Sequence, residues 1–78
     1  MPQPIERLEQ RVDAAYAIAG AIRALGLAWD GHTEHPERYI EFSYYNPFAP
    51  YHARAIDDII AASVALGDAQ RAQYAKTQ

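Results

Sequence analysis

The feature that most constrains this sequence is a helical spacing of apolar residues near its start. Apolar side chains recur every three or four positions and so share one face of an α-helix: Ile5, Leu8, Val12, Ala15, Ala19 and Ile22. Pro4 suits the first turn, where a missing N–H is not needed. Gly26 is typical of the left-handed residue that follows a helix. We therefore predict a first helix over residues 4–25.

The outer face of this helix changes character along its length. Its first half carries Glu6, Glu9 and Asp13, whereas its second half carries small residues where polar ones are usual: Ala17, Gly20, Ala21 and Ala24. One interpretation is an alanine-rich surface favoured by helix propensity. The other is a helix buried on two sides, by a second helix and by a partner.

A second helical pattern begins near Tyr51, after an Asn-Pro-Phe-Ala-Pro connector at residues 46–50. Its apolar residues recur with helical spacing at Ile56, Ile59, Ile60, Ser63 and Leu66. Gly67-Asp68 either ends this helix and begins a short last one over residues 69–75, or is tolerated within a continuous helix.

The segment between the helices has the alternation of a β-strand. Over residues 38–45, Ile40, Phe42 and Tyr44 fall on one side, and Tyr39, Glu41, Ser43 and Tyr45 on the other. The run 27–29, followed by the turn dipeptide Asp30-Gly31, is its expected partner. We predict an α+β fold in the order α-β-β-α, in which two helices flank a short antiparallel hairpin within a single domain, 1–78.

The small size of the chain favours self-association. A chain of 78 residues buries only about 60% of its unfolded surface, and the absence of cysteine excludes disulfides as a source of stability. An apolar helix face and a free aromatic strand edge could both be covered by a second copy. We expect a homodimer.

The aromatic residues are the main candidates for function. Seven lie close together in the sequence: Trp29, Tyr39, Phe42, Tyr44, Tyr45, Phe48 and Tyr51. Tyrosine and tryptophan are enriched in interface hot spots because they bury a large area and keep a polar end. The alternative is a set of half-buried edge tyrosines. We predict that a partner protein is bound by Trp29, Tyr39, Glu41, Tyr45 and Tyr51.

The leading functional hypothesis is therefore an inhibitor or regulator that binds and blocks a partner protein. Short, acidic, cysteine-free proteins without motifs are common among phage-encoded inhibitors, including anti-CRISPR proteins. This is a hypothesis about the kind of protein only, because no residue pattern here indicates that group in particular.

The alternative hypothesis is a metal or small-ligand site in the polar segment 30–35. Imidazole and carboxylate groups are ligands for zinc and similar metals, and His32 and His35 lie here beside Asp30 and Glu34, with His52 further along. A solvated polar turn explains the same residues, and we expect no cofactor. The segment could also serve acid–base catalysis with Tyr39 or Tyr45, but no catalytic motif is present, and we expect no enzyme.

Charge and hydropathy exclude further classes of function. The net charge is −3 and the seven lysines and arginines are scattered, which argues against direct binding to nucleic acid. The most apolar stretch, residues 14–29, is shorter than the about 20 residues that span a bilayer. It follows a mixed-charge segment rather than the basic segment of a signal peptide. We expect a cytoplasmic protein that does not enter a membrane.

Overall fold

The structure, a computed structural model, describes residues 4–32 and 41–77, with only the backbone of Thr77. It is a helical hairpin of two long helices, α1 (Ile5–Trp29) and α2 (Ala49–Thr77). Residues 41–48 form coil and turns that lead into α2. The helices run antiparallel, because Ile5 at the start of α1 lines the same groove as Tyr74 near the end of α2.

The predicted α+β fold is wrong, since the described residues contain two helices and no strand. Residues 27–29, the expected first strand, are the last turn of α1. The physical reason is that the helix does not end at Gly26 but continues through Leu27, which is buried at 4% exposure. The segment 41–45 therefore lacks the strand partner expected at residues 27–29, and it is coil and turn. The rest of that predicted strand, 38–40, lies outside the described residues.

The signal that ends α1 lies five residues beyond Gly26, at Gly31. Gly31 has φ 85°, the left-handed conformation that side chains disfavour. The amide of Gly31 donates to the carbonyl of Ala28 at 2.9 Å, and that of His32 donates to Leu27 at 2.8 Å. These two bonds form a Schellman motif, which satisfies carbonyls at the end of the helix.

The second helix is continuous through Gly67 and Asp68, so of the two predicted alternatives the unbroken helix is correct. Asp68 forms an ion pair with Arg71 one turn later, which supports the helix at this position. The helix begins at Ala49, before the predicted start. Pro50 fits its first turn because the N–H that proline lacks has no partner there.

Small side chains form the contact between the helices. Ala19, Ala55 and Ile59 are the buried cluster, and Ala15 and Ile22 pack against it. Of the predicted apolar face of α2, Ile59 is buried, whereas Ile56 and Ile60 are 39% and 56% exposed. Alanine methyl groups let two helix axes approach closely, and a single neighbouring helix covers only a narrow stripe of each helix.

The first helix is long and apolar enough to cross a membrane, with a mean hydropathy of 1.2 over its most apolar window. This property concerns length and composition alone. A signal sequence near an N-terminus and the core helix of a soluble protein have it too. The cytoplasmic location therefore stays a prediction.

Candidate functional site

A network of hydrogen bonds closes the turn end of the hairpin, and it is centred on Asp30 and Asn46. The backbone amide of Ser43 donates to Asp30 Oδ2 at 2.8 Å, and the Ser43 hydroxyl donates to Asp30 Oδ1 at 2.6 Å. Asn46 Nδ2 donates to the same Asp30 Oδ2 at 2.8 Å. We call this arrangement the Asp30–Asn46 network. It ties the segment before α2 to Asp30, the C-cap residue that follows α1.

Asn46 links α1 to the segment that leads into α2. Its side chain is 4% exposed, and Nδ2 also donates to the carbonyl of Gly26 at 2.7 Å. Its Oδ1 accepts from the amide of Phe48 at 2.9 Å, which is an Asx turn immediately before the start of α2. Both Nδ2 and Oδ1 of Asn46 therefore have hydrogen-bond partners, as a buried amide requires.

The three donors around Asp30 favour its charged form. The side-chain hydrogen bond from Ser43 lowers the pKa of Asp30 below its ordinary value, with further lowering from the Ser43 amide and from Asn46. Hydrogen bonds to a carboxylate stabilise it relative to the protonated acid. Asp30 therefore acts as a structural anion at neutral pH, and both of its oxygens already have protein partners.

Phe42 fills the space that the missing side chain of Gly26 leaves. A Cβ added at Gly26 would lie 2.6 Å from Phe42 Cζ and 2.7 Å from Cε1. The other neighbour of the ring is His52, at 5.3 Å between ring centroids in an edge-to-face arrangement. Phe42 thus contacts both helices. Glycine is required at position 26 for this close approach rather than for a turn.

Two adjacent tyrosines project from the turn that this network holds. Residues 43–46, which we call the tyrosine turn, close with a hydrogen bond from the amide of Asn46 to the carbonyl of Ser43 at 3.0 Å. Tyr44 is 92% exposed and Tyr45 is 83% exposed. Their rings meet edge to face at 5.0 Å between centroids. The tyrosines are thus at the surface, while Ser43 and Asn46 on either side of them are bonded to Asp30 at the end of α1.

The structure places most of the predicted partner-binding residues on the surface. Tyr45, Tyr51 and Trp29 are exposed by 83%, 65% and 56%, and Glu41 is exposed too. Tyr39 lies outside the described residues. Of these residues only Tyr45 belongs to the tyrosine turn.

The sequence reasoning missed Tyr44, because the strand pattern assigned it to the covered side with Phe42. The signal that could have found it is the Asn-Pro pair at 46–47 directly after Tyr44-Tyr45, which is typical of a turn.

The candidate metal ligands do not come together in the part of the chain that the structure describes. Among residues 4–32 and 41–77 no group of three histidine, aspartate or glutamate side chains could hold an ion. His32 is exposed, and His52 is half-buried against Phe42. Glu34 and His35 lie outside the described residues, so the metal hypothesis stays a prediction for that segment.

Comparisons with known proteins do not assign a family. No protein-family model matches the chain. No curated protein and no solved structure matches it either. The function therefore has to be argued from the residues and geometry above, and the hypothesis of a phage-type inhibitor stays a prediction.

Proposed function

We propose that this protein is an interaction module that binds a partner protein through the tyrosine turn and regulates that partner by covering part of its surface. The observation that carries the proposal is the exposure of Tyr44 and Tyr45, 92% and 83%, on a turn whose backbone is held by the Asp30–Asn46 network. Exposed aromatic side chains usually lower the solubility of a protein, so the exposure of Tyr44 and Tyr45 together calls for a functional explanation.

The hydrogen bonds around the turn support binding because they reduce its entropic cost. A loop that is already in its bound conformation loses less freedom when it meets a partner. Ser43 and Asn46, at the two ends of the turn, are both bonded to Asp30. Tyrosine itself has few rotatable bonds for its contact area, which is why it dominates many binding surfaces.

The surrounding charge indicates what kind of partner surface fits. Glu41 is exposed two residues before the turn, and the chain carries a net charge of −3. Complementary charge across an interface speeds encounter and excludes wrong partners. The partner would therefore offer an apolar pocket for the tyrosine rings with lysine or arginine at its rim.

The test compares the wild type with a variant that carries Tyr44→Ser and Tyr45→Ser together. Tyr16→Ser is the matched control, because Tyr16 is also an exposed tyrosine, at 58%, but lies on α1. Each tagged protein is used to enrich partners from a lysate of the source organism, with quantitative mass spectrometry, and each candidate partner is then titrated as a purified protein.

We expect to find a partner protein to which the wild type and Tyr16→Ser bind with equal affinity. The double variant should bind this partner at least about tenfold more weakly. Circular dichroism should show the same helix content in all three proteins. The proposal is wrong if no purified protein binds in a manner that depends on the tyrosine turn.

A further inference from the structure

The end of α1 is followed by the one Asp-Gly pair of the chain, Asp30-Gly31. At such a pair the backbone nitrogen of the glycine can attack the carboxyl carbon of the aspartate, because glycine has no Cβ to hinder the approach. The N–Cγ bond forms, and the hydroxyl of the protonated carboxyl leaves with the amide proton as water. Water then opens the resulting succinimide ring at either carbonyl, which gives aspartate or its isomer isoaspartate.

Other positions of the sequence are less suited to this reaction. Asparagine forms the same ring with loss of ammonia, but the only asparagine, Asn46, precedes Pro47, whose nitrogen carries no proton to lose. The other aspartates precede alanine, aspartate or isoleucine, whose side chains hinder the attack, and all of them lie within α1 or α2. Asp30 is therefore the residue at which chemistry most favours isomerisation.

The folded structure opposes the reaction at the attacking nitrogen. Asp30 has φ −81° and ψ −1°, near the values of a helix, and closure of the five-membered ring requires a large rotation about ψ. The amide of Gly31 donates to the carbonyl of Ala28 at 2.9 Å. This bond of the Schellman motif holds the nitrogen at the end of the helix, so the ring can close only after the motif opens.

The Asp30–Asn46 network opposes the reaction at the carboxyl group. Asp30 Oδ1 accepts from the Ser43 hydroxyl at 2.6 Å, and Oδ2 accepts from the Ser43 amide and from Asn46 Nδ2, both at 2.8 Å. Rotation of the carboxyl carbon toward Gly31 would break these bonds. The bonds also lower the pKa of Asp30, so the protonated acid, whose hydroxyl can leave, is scarcer at neutral pH.

We propose that Asp30 is a modification site, which the Asp30–Asn46 network protects while the turn end is closed and which isomerises to isoaspartate when the turn end opens. In isoaspartate the backbone runs through the former side chain, and the remaining carboxylate is attached directly to Cα. This group is shorter by one methylene, so it no longer reaches both Ser43 and Asn46. Opening thereby becomes irreversible, and the tyrosine turn loses its link to α1.

The inference goes beyond the proposed function, because the reaction needs only water and no partner protein. The rate of isomerisation reports how often the turn end opens, since a reaction of the open state is slowed in proportion to the rarity of that state. Loss of one hydrogen bond of ordinary strength changes such an equilibrium about threefold to tenfold.

The experiment incubates the full chain for several weeks at neutral pH and at a temperature well below unfolding. Samples are digested with trypsin, which releases residues 24–38 as one peptide between Arg23 and Arg38. Aspartate and isoaspartate have equal mass, so they are distinguished by electron-transfer fragmentation of this peptide. The same chain held unfolded in guanidinium chloride gives the unprotected rate.

Two variants separate the network from the stability of the whole fold. Ser43→Ala removes the hydroxyl donor to Asp30 at an exposed position, so the helices should form as in the wild type. Ile59→Val is the matched control, because it removes a methyl group from the buried cluster of the shaft and lowers stability while it leaves the network intact. Circular dichroism checks the helix content of both variants.

We expect the folded wild type to form isoaspartate at least about tenfold more slowly than the unfolded chain. Ser43→Ala should react about threefold to tenfold faster than the wild type, and Ile59→Val should remain close to the wild type. The isoaspartate form, separated by chromatography, should unfold at a lower temperature than the aspartate form.

Three results would overturn the inference. Equal rates for the folded and the unfolded wild type would show that the fold gives no protection. An acceleration in Ile59→Val as large as that in Ser43→Ala would assign the protection to the whole fold rather than to the network. Equal unfolding temperatures of the two isomers would show that isoaspartate does not break the network. None of these measurements involves a partner, so they stand apart from the test of the tyrosine turn.

Discussion

Two regions of the hairpin are held together by different forces: its turn end, around Asp30 and Asn46, and its shaft, where α1 packs against α2. At the turn end, Asn46 is the one buried polar residue among those described, and directional hydrogen bonds join it to Gly26, Asp30 and Phe48. In the shaft the buried cluster consists of alanine methyl groups around Ile59, while several large apolar residues, among them Ile18, Leu25 and Ile60, stay exposed. At the turn end the polar groups find hydrogen-bond partners within the chain, whereas the shaft leaves apolar side chains exposed that another molecule could cover.

This difference predicts which positions of the chain tolerate substitution. A buried hydrogen-bonded group cannot be removed without leaving its partners unsatisfied, so the turn end should be sensitive to single atoms. An exposed apolar residue contributes little to the stability of the hairpin itself. Substitutions in the shaft should therefore alter association more than folding.

The largest effect on stability is expected for Asn46→Ala. It removes the donor to the Gly26 carbonyl and to Asp30, and the acceptor for the Phe48 amide. Because the site is buried, the free energy of unfolding should fall by about 2–3 kcal/mol. The measurement is urea unfolding followed by circular dichroism at one fixed protein concentration.

The control for this prediction is Ser63→Ala, which removes a polar group from an exposed position of the shaft and should change the free energy by no more than about 0.5 kcal/mol. Equal unfolding midpoints for the two variants would show that the turn end is not the sensitive region.

Next in size is the contrast between two glycine-to-alanine substitutions in α1. At Gly26 the new Cβ would lie within 2.7 Å of the Phe42 ring, so the ring must leave its place between the helices, and we expect a loss of about 1–2 kcal/mol. At Gly20 nothing lies within 4 Å of the new Cβ, and better helix propensity should stabilise the protein by about 0.5–1 kcal/mol. Thermal unfolding of both variants checks the opposite signs.

If Gly26→Ala is instead as stabilising as Gly20→Ala, Phe42 is not confined by the helix. A variant that combines Gly26→Ala with Phe42→Leu makes the comparison sharper. The smaller side chain should relieve the contact, so the double variant should lose less stability than the two single changes added together.

The smallest effect concerns Asp30, and it is seen as a change of stability with pH in the acid range. Its pKa in the folded protein lies below the ordinary value of 3.8, so the unfolded chain binds this proton more readily. The contribution of Asp30 to stability is therefore complete above about pH 5 and is lost as the pH falls through 3.8 toward the lower folded value. Urea midpoints of the wild type and of Asp30→Asn, measured from pH 7 to pH 2.5, test this.

We expect the wild type to be the more stable of the two at pH 7 and the difference to shrink steadily below pH 5. A difference that stays constant over this range would mean that the charge of Asp30 is not what holds Ser43 and Asn46.

The sequence alone was sufficient to predict that two helices exist, though not where α1 ends or α2 begins, because their apolar spacing and Pro4 act within a few residues along the chain. It also indicated an exposed aromatic surface, of which Tyr45, Tyr51 and Trp29 are part. It predicted a strand over 38–45, whereas the described part of that segment, 41–45, is coil and turn. Period two is the pattern of a strand, but it carries no information on whether a second strand exists to pair with it.

Tertiary contacts decided the rest. Gly26 looks like the end of a helix, but it lies within α1, and Phe42, sixteen residues later, fills the space that its missing side chain leaves. Asp30 looks like a metal ligand, but it accepts three hydrogen bonds from Ser43 and Asn46. Local pattern determines the helices because their hydrogen bonds are local, whereas the turn and the choice of buried face depend on residues that only the folded chain brings together.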